Sequence, residues 1–292
     1  MKRVRLDQLA FGGIIVVMLG LNLALAAGTQ LPMMDQPYDW HYFQFVADAA
    51  ARGQDVYGVL QPDSTLPWLR WSPIAAYLMI PVFAAGIWVW RAVDVATVFA
   101  LRDWKMIAIT LTCLPFWLDL RLGNIVTICF VAAALAVRGG KIATPLYLGL
   151  CLLVPRPLMA PVAVWLLWKR PEWRIPFLVA ALAEIAAVAA MGYLPDWWHV
   201  LTSSTGEIGN SVNLAPSRLI GEAWMLAGLP LAAWLTWRGR LGLASLAASP
   251  YWLPYYLLFG LLEMVPTRSL PTADREPGST TFAPVARSPA DG

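Results

Sequence analysis

The sequence predicts an all-α polytopic membrane protein, a helical bundle in which roughly eight to ten helices cross the bilayer. The first observation is composition, because 59% of the 292 residues are hydrophobic and 13% are charged, whereas a soluble domain carries about 25% charged residues. The second is that apolar runs cover most of the chain, near residues 8–29, 73–101, 106–118, 122–137, 142–154, 157–168, 175–194, 219–237 and 243–266. The third is the 16 tryptophans, most of which lie near the ends of these runs, as in the aromatic belts of membrane proteins.

Several of these runs are shorter than the roughly 20 residues that a helix needs to cross the bilayer core, and they lie beside prolines. We therefore expect broken or partial helices, which a membrane tolerates only where protein or a water-filled cavity surrounds them. The run 73–101 is instead long enough for a hairpin, and a hairpin there would invert the orientation of everything downstream. Arg91 and Asp94 stand one helical turn apart within it and are able to pair.

The basic residues between the runs predict the orientation of the chain. Lys2, Arg3 and Arg5 precede the first run, and the later clusters contain Arg102, Lys105, Arg138, Lys141, Lys169, Arg170, Arg174, Arg238 and Arg240. Because positive residues concentrate in the cytoplasm, the two long loops, 30–72 and 195–218, are expected on the extracytoplasmic side. Residues 1–266 then form one membrane domain, and residues 267–292, rich in Pro, Ser and Thr, form a disordered tail.

Several classes of function have no support in the sequence. Cys113, Cys129 and Cys151 lie in apolar runs and have neither disulfide nor zinc spacing. Two histidines, His41 and His199, do not make a metal site. The chain has no phosphate-binding loop, dinucleotide fingerprint, serine elbow or HExxH motif, and no basic face suited to nucleic acid. We expect no metal, no cofactor and no nucleic acid, so an activated substrate would already be carried by a membrane lipid.

The leading candidate residues follow the first apolar run, at Asp35 and Asp39. A carboxylate at a membrane–water boundary can deprotonate a hydroxyl group beside a lipid-borne substrate. Asp39 begins an amphipathic stretch over residues 38–52 that is typical of an interfacial helix. It is the candidate catalytic base, with the alternative that it is only the N-cap of that helix. Asp35, His41 and Tyr42 are candidate substrate contacts.

Arg156 is the second candidate, between Pro155 and Pro157 at the tip of a predicted short hairpin. A guanidinium group held at that depth suits a lipid phosphate, which it can bind through two parallel hydrogen bonds. The alternative is a snorkelling arginine at an ordinary turn.

Polar residues of two other turns complete the candidate site. Asn124 ends a tight turn in which we interpret Asp119 and Arg121 as a structural pair. In the loop 195–218, His199, Asn210 and Arg218 are candidate contacts for a phosphate or a sugar.

Motifs along almost the whole membrane portion resemble one known family. In order, they are Asp39-Trp40-His41-Tyr42-Phe43, a Gly-x-x-x-Tyr at Gly53 and Tyr57, Trp71-Ser72-Pro73, Leu122-Gly123-Asn124, Arg156-Pro157, residues 210–218, and Ser249-Pro250-Tyr251-Trp252. This order is similar to the glycosyltransferase family 87 type of polyprenol-phosphate-mannose-dependent mannosyltransferases, of the GT-C superfamily, in a short variant. The family usually has Gly-Gln at the position of Gly123-Asn124, and Lys-Pro at the position of Arg156-Pro157.

The resemblance implies a mechanism. Asp39 would act as the general base on a hydroxyl group of a lipid-linked or cell-envelope glycan acceptor. That oxygen would attack the anomeric carbon of a hexose, which the resemblance implies is mannose. Polyprenyl phosphate would leave, and the configuration at that carbon would be inverted. Arg156 would contact the donor phosphate, and residues 210–218 would help to cover the site. Because family members are usually longer, a membrane partner subunit could close the donor tunnel.

The expected location is a multi-pass position in a cell membrane, a bacterial plasma membrane by this resemblance, with the active site on the extracytoplasmic side. A competing hypothesis is a transporter, a flippase or an accessory subunit for lipid-linked saccharides. Such a protein would share the membrane cavity and the buried charges. Paired broken helices in two related halves would favour transport, and the sequence contains no such duplication.

Overall fold

The computed structural model describes residues 38–57, 71–202 and 213–266, together with residues 13, 16 and 20. Every regular element within the three long ranges is a helix. The α-helices are α1 (Tyr38–Ala51), α2 (Pro73–Ala85), α3 (Ile87–Phe99), α4 (Trp104–Thr112), α5 (Leu114–Leu122), α6 (Val126–Val137), α7 (Ala143–Leu153), α8 (Ala160–Lys169), α9 (Arg174–Ala190), α10 (Leu194–Thr202), α11 (Ser217–Ile220), α12 (Trp224–Trp237) and α13 (Leu241–Ala248). Short 3₁₀ helices at Pro157–Met159, Pro171–Trp173 and Gly221–Ala223 lead into α8, α9 and α12, and a longer one spans Pro254–Met264. The predicted all-α class is therefore confirmed for these residues.

Among the described residues, two helical stretches are long and apolar enough to cross a membrane. They are Pro171–Ala190, of 20 residues, which joins a 3₁₀ turn to α9, and Ser217–Trp237, of 21 residues, which joins α11 and a 3₁₀ turn to α12. The run 73–101 forms α2 and α3, which are bent by 104° at Gly86, and this pair would make a third span if it crosses as one unit. These helices suggest that the protein associates with a membrane. The larger number of spans and the sidedness of the loops stay predictions, and the tail 267–292 lies outside the described residues.

The short helices bear out the expectation of broken runs. The run 106–118 divides at Cys113, where the backbone is extended (φ −82°, ψ 142°) and Pro115 follows at the start of α5. Gly86, with φ +89°, interrupts the run 73–101 in the same way. Because proline cannot donate a backbone hydrogen bond and glycine adopts positive φ freely, both residues favour a helix end inside apolar sequence at these two breaks. Pro81 and Pro230 instead lie inside α2 and α12.

The centre of the structure is α6. Ten of its twelve residues are buried, from Val126 to Val137, which is typical of a helix that is hydrophobic on all sides. It packs against α7, α3 and the 3₁₀ helix Pro254–Met264. The polar turn before α6 and the polar side chains of that 3₁₀ helix are therefore brought to the same end of the core.

One predicted pair, Arg91 with Asp94, is wrong. Arg91 donates hydrogen bonds to the carbonyl oxygens of Leu120 and Arg121, each at 3.1 Å. These are among the last carbonyl groups of α5, which have no partner within their own helix and attract cations. Both carboxylate oxygens of Asp94 are buried without a hydrogen-bond partner.

Candidate functional site

Asp39 lies in the first turn of α1, where the helix dipole favours a negative charge. Its carboxylate is half-buried. Oδ2 accepts a hydrogen bond from Asn124 Nδ2 at 2.6 Å and a longer one from the hydroxyl of Tyr255 at 3.4 Å. Since α1 begins at Tyr38, Asp39 stands inside the helix, and Oδ2 serves residues that are distant in sequence. The N-cap alternative does not account for these contacts.

Gly123 allows the turn that carries Asn124 to reach α1. It ends α5 in the left-handed conformation, with φ +71°, and its N–H donates to the carbonyl oxygen of Asp119 at 2.9 Å. A Cβ atom at Gly123 would lie 2.7 Å from Trp40 Cβ and 2.9 Å from Ile87 Cδ1. Only glycine satisfies both the backbone conformation and this close approach. The turn therefore packs directly on the residue that follows Asp39.

Asn124 joins the two main candidates of the sequence through its side-chain amide. Nδ2 donates to Asp39, and Oδ1 accepts from Arg156 Nη2 at 2.9 Å and from the backbone N–H of Ile125 at 2.7 Å. The donor end of the amide faces the carboxylate and its acceptor end faces the guanidinium, so its orientation is determined by charge. Trp90 also donates to the Asn124 carbonyl oxygen at 3.0 Å, which fixes the backbone of the turn.

Arg156 points into the protein. Its backbone is extended (φ −133°, ψ 134°), as expected for a residue before proline. Nη1 donates to the Tyr256 hydroxyl at 2.9 Å, and the guanidinium carbon lies 5.3 Å from the centre of the Tyr256 ring. With Nη2 bound to Asn124, the side chain is oriented by two partners, and it does not snorkel toward solvent.

Two site residues, Tyr255 and Tyr256, escaped the sequence analysis. Both are buried in the 3₁₀ helix Pro254–Met264, and the Tyr255 hydroxyl also accepts from Asn124 Nδ2 at 3.1 Å. The segment before them is held by Asn213, whose Oδ1 accepts from the Trp252 N–H at 2.9 Å. The available signal was a tyrosine pair within an apolar run, directly after the motif Ser249-Pro250-Tyr251-Trp252.

Asp119 is fully buried behind this site and is not paired with Arg121, contrary to our interpretation. Its Oδ2 accepts from the N–H of Thr127, in the first turn of α6, at 2.7 Å. Burial raises the pKa of Asp119 to about 6, although the bond from Thr127 and the nearby charge of Arg156 act in the opposite direction. Arg121 Nε is buried without a hydrogen-bond partner.

An apolar cavity of about 460 Å³ opens beside Arg156. Its walls come from α7, α8, α9 and α10, and from the segment 250–251. The lining residues are Cys151, Pro155, Arg156, Pro157, Met159, Ala160, Ala163, Val164, Leu167, Phe177, Leu201, Pro250 and Tyr251. Arg156 is the one charged residue among them. Asp39 lies on the other side of Asn124 and is not part of this lining, so Arg156 connects the cavity to the carboxylate.

The other predicted contacts are dispersed. Tyr42 is buried beside Asp39 on α1, with its ring edge-on to Phe43 at 5.5 Å. His41, His199 and Arg218 are exposed, and the structure does not bring them into the cluster around Asn124. Asp35 and Asn210 lie outside the described residues.

The cluster combines a half-buried carboxylate with a half-buried guanidinium that borders an apolar cavity. A carboxylate can take a proton from a hydroxyl group within hydrogen-bond reach. A guanidinium can stabilise charge that develops on a phosphate. No family model, curated protein or solved structure matches this chain. Function is therefore inferred from the arrangement of these residues.

Proposed function

We propose that this protein is a multi-pass membrane hexosyltransferase with an extracytoplasmic active site, placed in a bacterial plasma membrane. It moves a hexose, mannose in the first instance, from polyprenyl phosphate to a lipid-linked or cell-envelope glycan. One observation carries the proposal. Asp39, Asn124 and Arg156, chosen from the sequence as base and substrate contacts, meet in one hydrogen-bonded chain.

The proposed reaction uses the two ends of this chain. Asp39 takes the proton of the acceptor hydroxyl while that oxygen forms a bond to the anomeric carbon. The bond between this carbon and the phosphate oxygen breaks, and both of its electrons leave with polyprenyl phosphate. Arg156 stabilises the negative charge that builds on the departing phosphate. The step balances without a metal ion or a nucleotide.

Asn124 has a specific role in this proposal, because it separates the base from the cation. A direct ion pair would favour the charged carboxylate and weaken it as a base. The neutral amide instead lies between the two groups, with hydrogen bonds of 2.6 Å to Asp39 and 2.9 Å to Arg156. The amide therefore orients Asp39 and Arg156, although neither of these two bonds joins them directly.

The cavity beside Arg156 supports a lipid-borne donor. Its lining is apolar apart from Arg156, and a polyprenyl chain needs only such a surface. A phosphate on that chain would meet the guanidinium at the wall of the cavity. Tyr256, which binds Nη1, would hold the guanidinium in place for this contact.

The experiment uses the full chain in detergent with polyprenyl-phosphate mannose, radiolabelled in the polyprenyl chain, and a bacterial envelope glycolipid extract as the acceptor. It measures the release of polyprenyl phosphate. We expect Asp39→Asn to lower the turnover about 100-fold or more, the usual contribution of a general base. Asp48→Asn is the matched control, because Asp48 lies on the same helix and is exposed. Unchanged turnover in Asp39→Asn would remove the proposed base. Donor that crosses proteoliposome membranes without being consumed would favour a transporter instead.

A further inference from the structure

A second apolar groove lies between α8 and α12, and Ala248 of α13 also lines it. We call it the α8–α12 groove. Its volume is about 440 Å³. The lining residues are Ala160, Pro161, Val164, Trp168, Leu229, Ala232, Ala233, Thr236, Trp237 and Ala248. Thr236 carries the one side-chain hydroxyl of this lining, and it donates to the carbonyl oxygen of Ala232 at 2.7 Å. The wall therefore presents an apolar surface along both helices.

One end of the α8–α12 groove is basic, because α8 and α12 run in the same direction. The end of α13 lies beside the start of α8, where residues 250–251 share a cavity with Arg156, and beside the first half of α12, where Ala247 meets Gly228. Trp168 is the second-last residue of α8, before Lys169, and Trp237 is the last residue of α12, before Arg238. Lys169 Nζ lies 4.3 Å from the centre of the Trp168 ring. The guanidinium carbon of Arg238 lies 6.0 Å from the centre of the Trp237 ring. Both cations are exposed, and neither forms an ion pair with a carboxylate within the described ranges.

The neighbouring basic residues are already engaged. Arg170 is buried and donates to Thr144 Oγ1 at 2.6 Å, and Arg174 donates to the Leu167 carbonyl oxygen at 2.8 Å. Arg240 forms an ion pair with Glu263 at 2.5 Å. Lys169 and Arg238 are thus the two cations at this end that are directed to the surface beside the groove.

We infer that the α8–α12 groove binds an anionic phospholipid, with an acyl chain along the groove and the headgroup phosphate between Lys169 and Arg238. A peptide segment would need partners for its backbone N–H and C=O groups, and this lining offers none. An acyl chain requires only apolar contact, and basic pockets between helices at the cytoplasmic surface suit anionic headgroups. The combination of an apolar wall with cations at one end is therefore specific to a charged lipid.

This lipid site is separate from the proposed donor site. Ala160 and Val164 line both cavities, so the stripe they form on α8 is the boundary between them. Arg156 lies four residues before α8 and Lys169 is its last residue, so the ten-residue helix, about 15 Å long, lies between the two phosphate contacts. The inference depends on a membrane environment and does not depend on glycosyl transfer.

The test measures the midpoint of thermal unfolding of the full chain in detergent, titrated with dioleoyl phosphatidylglycerol or dioleoyl phosphatidylcholine. We expect the anionic lipid alone to raise the midpoint. Lys169→Gln combined with Arg238→Gln should weaken the apparent affinity for phosphatidylglycerol roughly 30-fold, from the usual contribution of two basic residues near a lipid surface. Lys105→Gln is the matched control, because Lys105 also stands over its neighbouring tryptophan, at 5.9 Å, but that tryptophan, Trp104, does not line the groove.

A second pair of variants tests the groove without changing charge. Ala233→Trp would fill the α8–α12 groove from an exposed position, and we expect it to abolish the response to phosphatidylglycerol. Ala180→Trp, at an exposed alanine of α9 that lines neither cavity, should retain it. Equal responses to the two lipids would overturn the inference. So would a response that survives in the Lys169 and Arg238 variant but is lost in Arg156→Gln, since it would then belong to the donor cavity.

Discussion

The substitution Gly123→Ala tests whether the candidate site depends on the close packing of one turn against α1. The added methyl group would lie 2.7 Å from Trp40 Cβ, whereas carbon atoms in contact are about 3.5–4.0 Å apart. Trp40 Cβ is attached directly to the backbone of α1, so a rotation of the side chain cannot move it away. The turn and α1 must therefore separate by about 0.8 Å before ordinary contact is restored.

This separation has a cost in stability and a cost at the site. Overpacking of this kind costs about 1–3 kcal/mol, and a left-handed conformation costs a non-glycine residue about 1–2 kcal/mol more. We expect Gly123→Ala to lower the free energy of unfolding by about 2–5 kcal/mol in total. The bond from Asn124 to Asp39, now 2.6 Å, would also stretch beyond the roughly 3.2 Å limit of an ordinary N–H···O bond.

The assay is equilibrium unfolding in detergent, followed by tryptophan fluorescence, together with donor turnover. Gly53→Ala is the matched control, because Gly53 has φ +66° and nothing within 4 Å of its added Cβ. Gly53→Ala should lower the free energy of unfolding only by the cost of the left-handed conformation, about 1–2 kcal/mol, and it should keep full turnover. Equal losses of stability in the two variants would refute the reasoning, since the contact with Trp40 would then have no effect.

Three further predictions concern packing, the bridging amide and pH. Gly228→Ala should destabilise the protein by about 1–3 kcal/mol, because its Cβ would lie 2.6 Å from the Ala247 carbonyl oxygen, whereas Gly149→Ala, with nothing within 4 Å, should not. Asn124→Ala should lower donor turnover at least about tenfold and cost roughly 1.5–3 kcal/mol, since it removes hydrogen bonds to two charged groups. Burial raises the pKa of Asp119 from 3.8 to about 6, so its protonated form favours folding, and the stability it contributes should be lost as pH rises through about 6.

The same unfolding assay checks these predictions. A Gly149→Ala variant as unstable as Gly228→Ala would contradict the packing argument for α12. Full turnover in Asn124→Ala would mean that the base and the cation act without the bridge. For the pH prediction, Asp119→Asn should flatten the change in stability between about pH 4 and pH 6, and a profile that keeps its slope would assign the titration to another group.

The class of the fold and the break-up of the helices could be predicted because they depend on local chemistry. Composition indicates helices in an apolar setting, and Pro115 and Gly86 stand at two of the observed breaks. Pro81 and Pro230 lie inside α2 and α12, so proline alone does not say which apolar runs divide. The 104° bend at Gly86 could not be predicted, since it depends on how α2 and α3 pack. Arg91 was paired with Asp94 on helical spacing alone. That spacing does not reveal the carbonyl groups at the end of α5, which compete for the same guanidinium.

The sequence predicted several residues of the candidate site but not how they are arranged. Asp39 was chosen as a carboxylate at a membrane–water boundary, Arg156 as a charge held at depth, and Asn124 because its turn matches a motif of the family that the chain resembles. Their meeting point depends on Gly123, whose close contact with α1 is a tertiary property. The tyrosines were missed because a tyrosine in an apolar run is usually interpreted as an interfacial anchor. In the structure Tyr255 and Tyr256 serve as hydrogen-bond partners for Asn124 and Arg156.

The amide bridge between Arg156 and Asp39 has a consequence for the order of events in the proposed reaction. An amide carries no titratable proton, so it passes on orientation and not charge. A phosphate that engages Arg156 would restrain the guanidinium, and through Asn124 the rotamer of the carboxylate beyond it. The sugar donor would then orient the base before the acceptor arrives. Steady-state kinetics would follow an ordered scheme in which the polyprenyl-phosphate donor binds first.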